Sequence, residues 1–138
     1  MRTLFLATLL SVTGTAAAQS CGTLAITGTG APGTTLTYAV TGATPRGYVT
    51  LAVAENAGTT TINLSGLGLN LTLGLDSPIL PVPLGRANSS GDLTRAINVP
   101  ANFPIQYALN AQGVTLTFTF MPFALNACTT NVVAFSIG

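Results

Sequence analysis

Leu67, Leu69, Leu71, Leu73 and Leu75 fall on every second residue of the stretch 65–76, with Gly68, Asn70, Thr72 and Gly74 between them. Period two is the period of a β-strand, because successive side chains there point to opposite faces. Leucine by itself favours a helix, so the strict alternation and the glycines carry the assignment. One face of such a strand has to be buried, and the rest of the chain must supply the cover.

The remaining segments carry the same period. Short strands are predicted at 23–27, 35–41, 49–53, 60–64, 93–99, 105–109, 114–120 and 132–137. Between them stand turn signals. Pro32-Gly33 suits a type II turn, with Pro presetting φ and Gly taking the positive φ that follows. Residues 43–47 read as a turn with Pro45 at its second position, 55–58 as a loop, and 88–92 as a polar turn. Asn110-Ala111-Gln112-Gly113 reads as a hairpin loop with Gly in the left-handed region, and 126–130 as a loop holding Cys128. Pro78, Pro81 and Pro83 remove ladder donors, so 79–84 is expected to be an edge strand or an extended crossing. Pro122 ends the strand before it. No segment from 19 onward shows helical periodicity. Many short strands with Gly/Pro turns predict an all-β fold, an antiparallel β-sandwich of the Ig-like or jelly-roll-like kind. Its inward set is Leu36, Tyr38, Val40, Leu51, Leu69, Leu71, Leu73, Ile97, Tyr107, Leu116, Phe118 and Phe120, with Ile62 and Leu64 inward on the short strand before the leucines.

The N-terminus reads as an export signal: Arg2, an apolar core over 4–12 too short to span a bilayer, then Ala16-Ala17-Ala18 before Gln19. Residues 1–18 are read as a cleaved signal peptide and 19–138 as one β-sandwich domain, secreted or on the cell surface, with no second apolar span. Export makes a disulfide between Cys21 and Cys128 plausible. Closing so long a loop is worth roughly 4–5 kcal/mol by chain entropy. A competing reading makes Cys21 a lipidated N-terminus, although Ala18-Gln19-Ser20 matches lipoprotein signals poorly.

Charge narrows function. Only 5% of residues are charged, His and Trp are absent, all basic residues are Arg, and the net charge is +1. That leaves no electrostatic footprint for nucleic acid. With no His or Lys there is no ordinary general base for a Ser or Thr nucleophile. Asp76 and Asp92, the likeliest carboxylate pair, each sit at a turn where Asp is ordinary. A non-enzymatic role without cofactor follows. Low charge, abundant Thr and Asn, and Pro-marked edges fit a structural, assembly or adhesion protein that self-associates or contacts an extracellular matrix. The alternative is a glycan- or ligand-binding module using Tyr48, Asp76, Asn88 and Asp92. Asn88, Ser90, Gly91 and Asp92 also suggest part of a Ca²⁺ loop, though one carboxylate is a thin ligand set and no metal is expected. Thr115, Thr117 and Thr119 resemble one rung of an ice-binding ladder, but Thr is also simply a good outward strand residue.

The order of turns resembles a known family. Gly28-Thr29-Gly30-Ala31-Pro32-Gly33 opens the unit and Ala43-Thr44-Pro45-Arg46-Gly47 follows one strand later. Leu80-Pro81-Val82-Pro83-Leu84-Gly85 and Ser90-Gly91-Asp92 stand in the middle. Ile97-Asn98-Val99-Pro100, a Gln106-containing strand and residues 132–138 close it. This is similar to a secreted β-sandwich domain common in planctomycetes and related bacteria. The resemblance implies fold and export, and brings no activity with it.

Overall fold

The structure is a computed structural model that describes residues 19–64, 69–121 and 123–138. The export segment, Leu67 and Pro122 lie outside the described residues, as does the side chain of Leu64. Ten strands run in order: β1 (Gln19–Ser20), β2 (Thr23–Thr27), β3 (Thr35–Thr41), β4 (Tyr48–Ala54), β5 (Ala57–Leu64), β6 (Leu69–Leu75), β7 (Leu80–Arg86), β8 (Leu93–Asn98), β9 (Tyr107–Phe120) and β10 (Phe123–Ile137). They form a five-stranded sheet in the order β1-β10-β9-β4-β7, a three-stranded sheet β2-β3-β8 and a two-stranded ribbon β5-β6. Pairing is antiparallel except for the two residues of β1, which run parallel to β10. The antiparallel sandwich expected from the sequence is the fold found.

Alternation along β4 explains the layering. Val49, Leu51 and Val53 join Leu24, Leu36, Val40 and Ala111 in a core against the three-stranded sheet. Ala52 and Ala54 point the other way, to a second core with Val114, Leu125, Ala127 and the β6 leucines. The five-stranded sheet is therefore covered on both faces. Leu69, Leu71, Leu73 and Leu75 are all buried while Asn70 and Thr72 are exposed. The leucine strand is thus a half-buried lid, not a central strand. Small alanines on β4 let this lid approach closely.

Two predicted loops are strands instead. Asn110-Ala111-Gln112-Gly113 lies inside β9, paired on one side with β4 and on the other with β10. Residues 126–130 lie inside β10, where the register shifts between Thr129 and Val132. These polar residues are consumed by the layers. Gln112 accepts from Gly74 N through Oε1 (2.8 Å) and donates through Nε2 to Thr130 O (2.8 Å), which ties the lid to the sheet. Asn131 bonds both backbone groups of Leu24, accepting at 2.8 Å and donating at 3.2 Å, and so fastens β2 to the bulge. The predicted loop at 55–58 is shorter than expected, because β5 already begins at Ala57.

The turns behave as read. Thr34 N donates to Ala31 O at 3.1 Å, with Gly33 at φ 81°. Gly47 N donates to Thr44 O at 3.1 Å, here with Arg46 in the left-handed position at φ 61°. β7 is an edge strand, as its prolines require. Cys21 and Cys128 are joined, with Cα atoms 5.5 Å apart.

Candidate functional site

β9 and β10 are the longest strands, at 14 and 15 residues. Tyr48 opens β4 opposite Leu116. Beyond that register β9 and β10 continue as a bare ribbon, with Phe118 facing Leu125 and Phe120 facing Phe123. The alternation Val114, Leu116, Phe118, Phe120 does place these side chains on one face. Of these four, Val114 and Leu116 belong to the core that holds the β6 leucines, and Phe118 and Phe120 do not. Phe118 and Phe120 were expected inside, but they are 46% and 77% exposed, because the ribbon runs past its cover. Phe123 (57%) and Met121 (94%) join them at the tip. The Phe120 and Phe123 rings lie 6.1 Å apart, within the range of a favourable aromatic pair.

Three other residues of the expected inward set also face water. Ile97 shares a face with its buried partner Leu36 but sits near the end of edge strand β8, where it is left 37% exposed. Tyr107 starts β9 and packs edge-on against Phe103. Ile62 lies on β5, the outer strand of the ribbon.

Behind the tip lies a groove of about 290 Å³ between Tyr48, Arg46, Arg86, Phe118 and Phe120. The Arg86 guanidinium lies over the Tyr48 ring, 5.0 Å from its centroid, in a cation–π arrangement. Arg86 Nε also donates to Arg46 O at 2.9 Å, so two of the chain's arginines are held at this end.

The sequence-predicted binding residues are only partly brought together. Tyr48 is in the groove. Asn88 is next to it through the Arg46 N to Asn88 O bond (3.0 Å). Asn88 Oδ1, however, accepts from Ser90 N (2.8 Å) and Asp92 N (3.0 Å), and Asp92 Oδ1 accepts from Gly42 N (3.1 Å). These oxygens hold the turn together, which is the ordinary role of Asn and Asp at such a position. Among the described residues no group of three or more His, Cys, Asp or Glu is placed to hold a metal. Asp76 lies at the far end of β4. Its N donates to Asn56 O (2.9 Å), and its carboxylate fills the space a side chain at Gly58 would need.

That far end carries a second apolar feature, a shallow cleft of about 390 Å³ lined by Val53, Ala54, Glu55, Ile79, Leu80 and Leu109. Leu80 is 63% exposed there. Neither the tip nor the cleft was read from the sequence. The signal for the tip was present in the sequence: Phe120, Met121 and Phe123 cluster around Pro122, where a break between strands is normally polar.

The chain matches no protein-family model, no curated protein and no solved structure. Among the described residues no helix is long and apolar enough to cross a membrane.

Proposed function

We propose that this is a secreted, non-catalytic structural or adhesion protein of the cell exterior, and that it works through the aromatic tip of its β9–β10 hairpin. The observation that carries the reading is the joint exposure of Phe118, Phe120, Met121 and Phe123 at the end of the paired β9–β10 ribbon. Exposed apolar patches on folded domains mark interaction sites. The rest of the molecule gives that ribbon a stiff base: its strands are paired into a covered sheet and its two ends are tied by a disulfide. The disulfide fits an oxidising exterior. The same cell-exterior setting is what the family resemblance implies.

The test is retention of purified protein at an apolar surface or in its own assemblies. Replacing Phe120 and Phe123 with Ser removes the tip at exposed positions, so thermal stability should change little. The expected result is at least a tenfold loss of association or adsorption. Unchanged association in the variant overturns the reading.

One observation favours a second reading as a glycan- or ligand-binding module. The Tyr48–Arg86 stack presents an aromatic and a planar cation in one groove. On that reading Tyr48→Ala abolishes binding on a glycan panel, while Phe123→Ser, which alters the tip outside the groove lining, retains it.

A further inference from the structure

We propose that the aromatic tip of one molecule docks into the apolar cleft at the opposite end of a second copy, so that the protein builds an open head-to-tail chain. This rests on the assembly reading above and names its partner.

The two features match in chemistry. The tip is a protruding set of apolar side chains, and the cleft is a recess lined by Val53, Ala54, Ile79, Leu80 and Leu109. An aromatic residue can bury roughly 150–250 Å² in all, and Phe118, Phe120 and Phe123 still expose 46%, 77% and 57% of their surface to a partner. Phe118, Phe120 and Phe123 with Met121 therefore carry a large part of the roughly 800 Å² one partner gives to a standard interface.

Charge has the matching asymmetry. Arg46 and Arg86 line the groove behind the tip. Glu55 lines the cleft, and Asp76 is bonded beside it to Asn56. Asp92 shares the tip end, where its Oδ1 is taken up by Gly42 N. Docking tip to cleft therefore sets arginines against Glu55 and Asp76. Docking tip to tip sets arginines against arginines. Complementary potentials fix register and suppress wrong partners.

Geometry determines the form of the assembly. β4 runs from the tip end at Tyr48 to the cleft end at Ala54, and β9 carries on from Asn110, opposite Ala54, to Phe120. At about 3.4 Å per residue the two features stand roughly 35 Å apart along the strands. A surface patch that fits a different surface at the other end of the same molecule makes a heterologous contact, which propagates rather than closing as a two-fold dimer. Sideways growth is discouraged at β7, the edge strand beside the cleft, by Pro81 and Pro83.

The test uses two variants of the purified protein, both altered only at exposed positions: a tip variant, Phe120→Ser with Phe123→Ser, and a cleft variant, Leu80→Glu. Sedimentation velocity and negative-stain microscopy are read across a concentration series. The unaltered protein should give a ladder of oligomers and unbranched filaments with an axial repeat of roughly 35 Å. Each variant alone should be monomeric. An equimolar mixture of the two should give a species of twice the monomer mass and nothing larger, because one intact tip and one intact cleft remain. That heterodimer also shows both variants to be folded. A cleft variant that assembles as well as the unaltered chain overturns the head-to-tail inference and leaves tip-mediated assembly standing. An unaltered protein that stays monomeric but adsorbs through its tip overturns the inference and leaves adhesion standing. A tip variant that behaves as the unaltered protein overturns both.

Discussion

Thr115 is 2% exposed, and its Oγ1 has no hydrogen-bond partner among the described residues. It sits in β9 with its methyl against Gly47, where even one added carbon would collide with it. A buried hydroxyl without a partner carries its desolvation cost uncompensated. Valine has nearly the same shape and no polar atom to satisfy. Thr115→Val should therefore raise stability by roughly 1 kcal/mol, read as a higher urea midpoint at unchanged slope. A fall in the midpoint means that the hydroxyl is satisfied. Tyr38 illustrates the same physics with an ionisable group: burial pushes its phenol above the ordinary tyrosine range.

The leucine strand can be tested as an element. Leu71 is 7% exposed in the second core, and Thr72 is exposed on the outer face of the lid, its Oγ1 3.3 Å from that of Thr61. Leu71→Ala should cost roughly 2–5 kcal/mol through lost burial and a cavity. Thr72→Ala should cost under about 1 kcal/mol. Equal losses in chemical denaturation mean that β6 is covered on both faces. The register of this strand was legible in the sequence because strict alternation admits only two assignments, and a slip of one residue exchanges them. The long hairpin was not legible. Asn110, Gln112, Gly113 and Asn126 look like turn residues, since side chains of this kind serve turns well. Here Gln112 spends Oε1 on a bond to the lid and Nε2 on a bond to the neighbouring strand β10, and a side chain at Gly113 would press on Thr130. A single sequence does not show whether a polar side chain answers its own backbone or another strand's. The tip failed for a related reason. Alternation shows that Phe118 and Phe120 share a face with Val114 and Leu116, but it cannot show where the opposing strand stops.

At the scale of the molecule, the question is what holds so uncharged a chain in one arrangement. The two cores share the five-stranded sheet, but one margin of it is thin, because β1 contributes only two residues. Cys21 follows β1 immediately, and its N donates to Thr129 O at 2.7 Å, so the disulfide to Cys128 clamps β1 onto the edge of the sheet. The sequence separation is 107, which makes the covalent loop nearly the whole domain. Closing a loop of that length removes roughly 4–5 kcal/mol of unfolded-state entropy. That is a large share of the roughly 5–15 kcal/mol by which domains are stable. Reduction should therefore lower the melting temperature substantially while leaving the β-sheet circular dichroism at low temperature unchanged, because aliphatic side chains make up most of both cores and Cys21 only packs against the first of them. The tip lies at the hairpin end, three or more residues beyond the register pair of Cys128 and Thr115. Association through the tip should accordingly persist in the reduced protein below its new melting temperature. Loss of association in reduced protein that is still folded would mean that the clamp at β1, and not the hairpin alone, sets the direction in which the tip points.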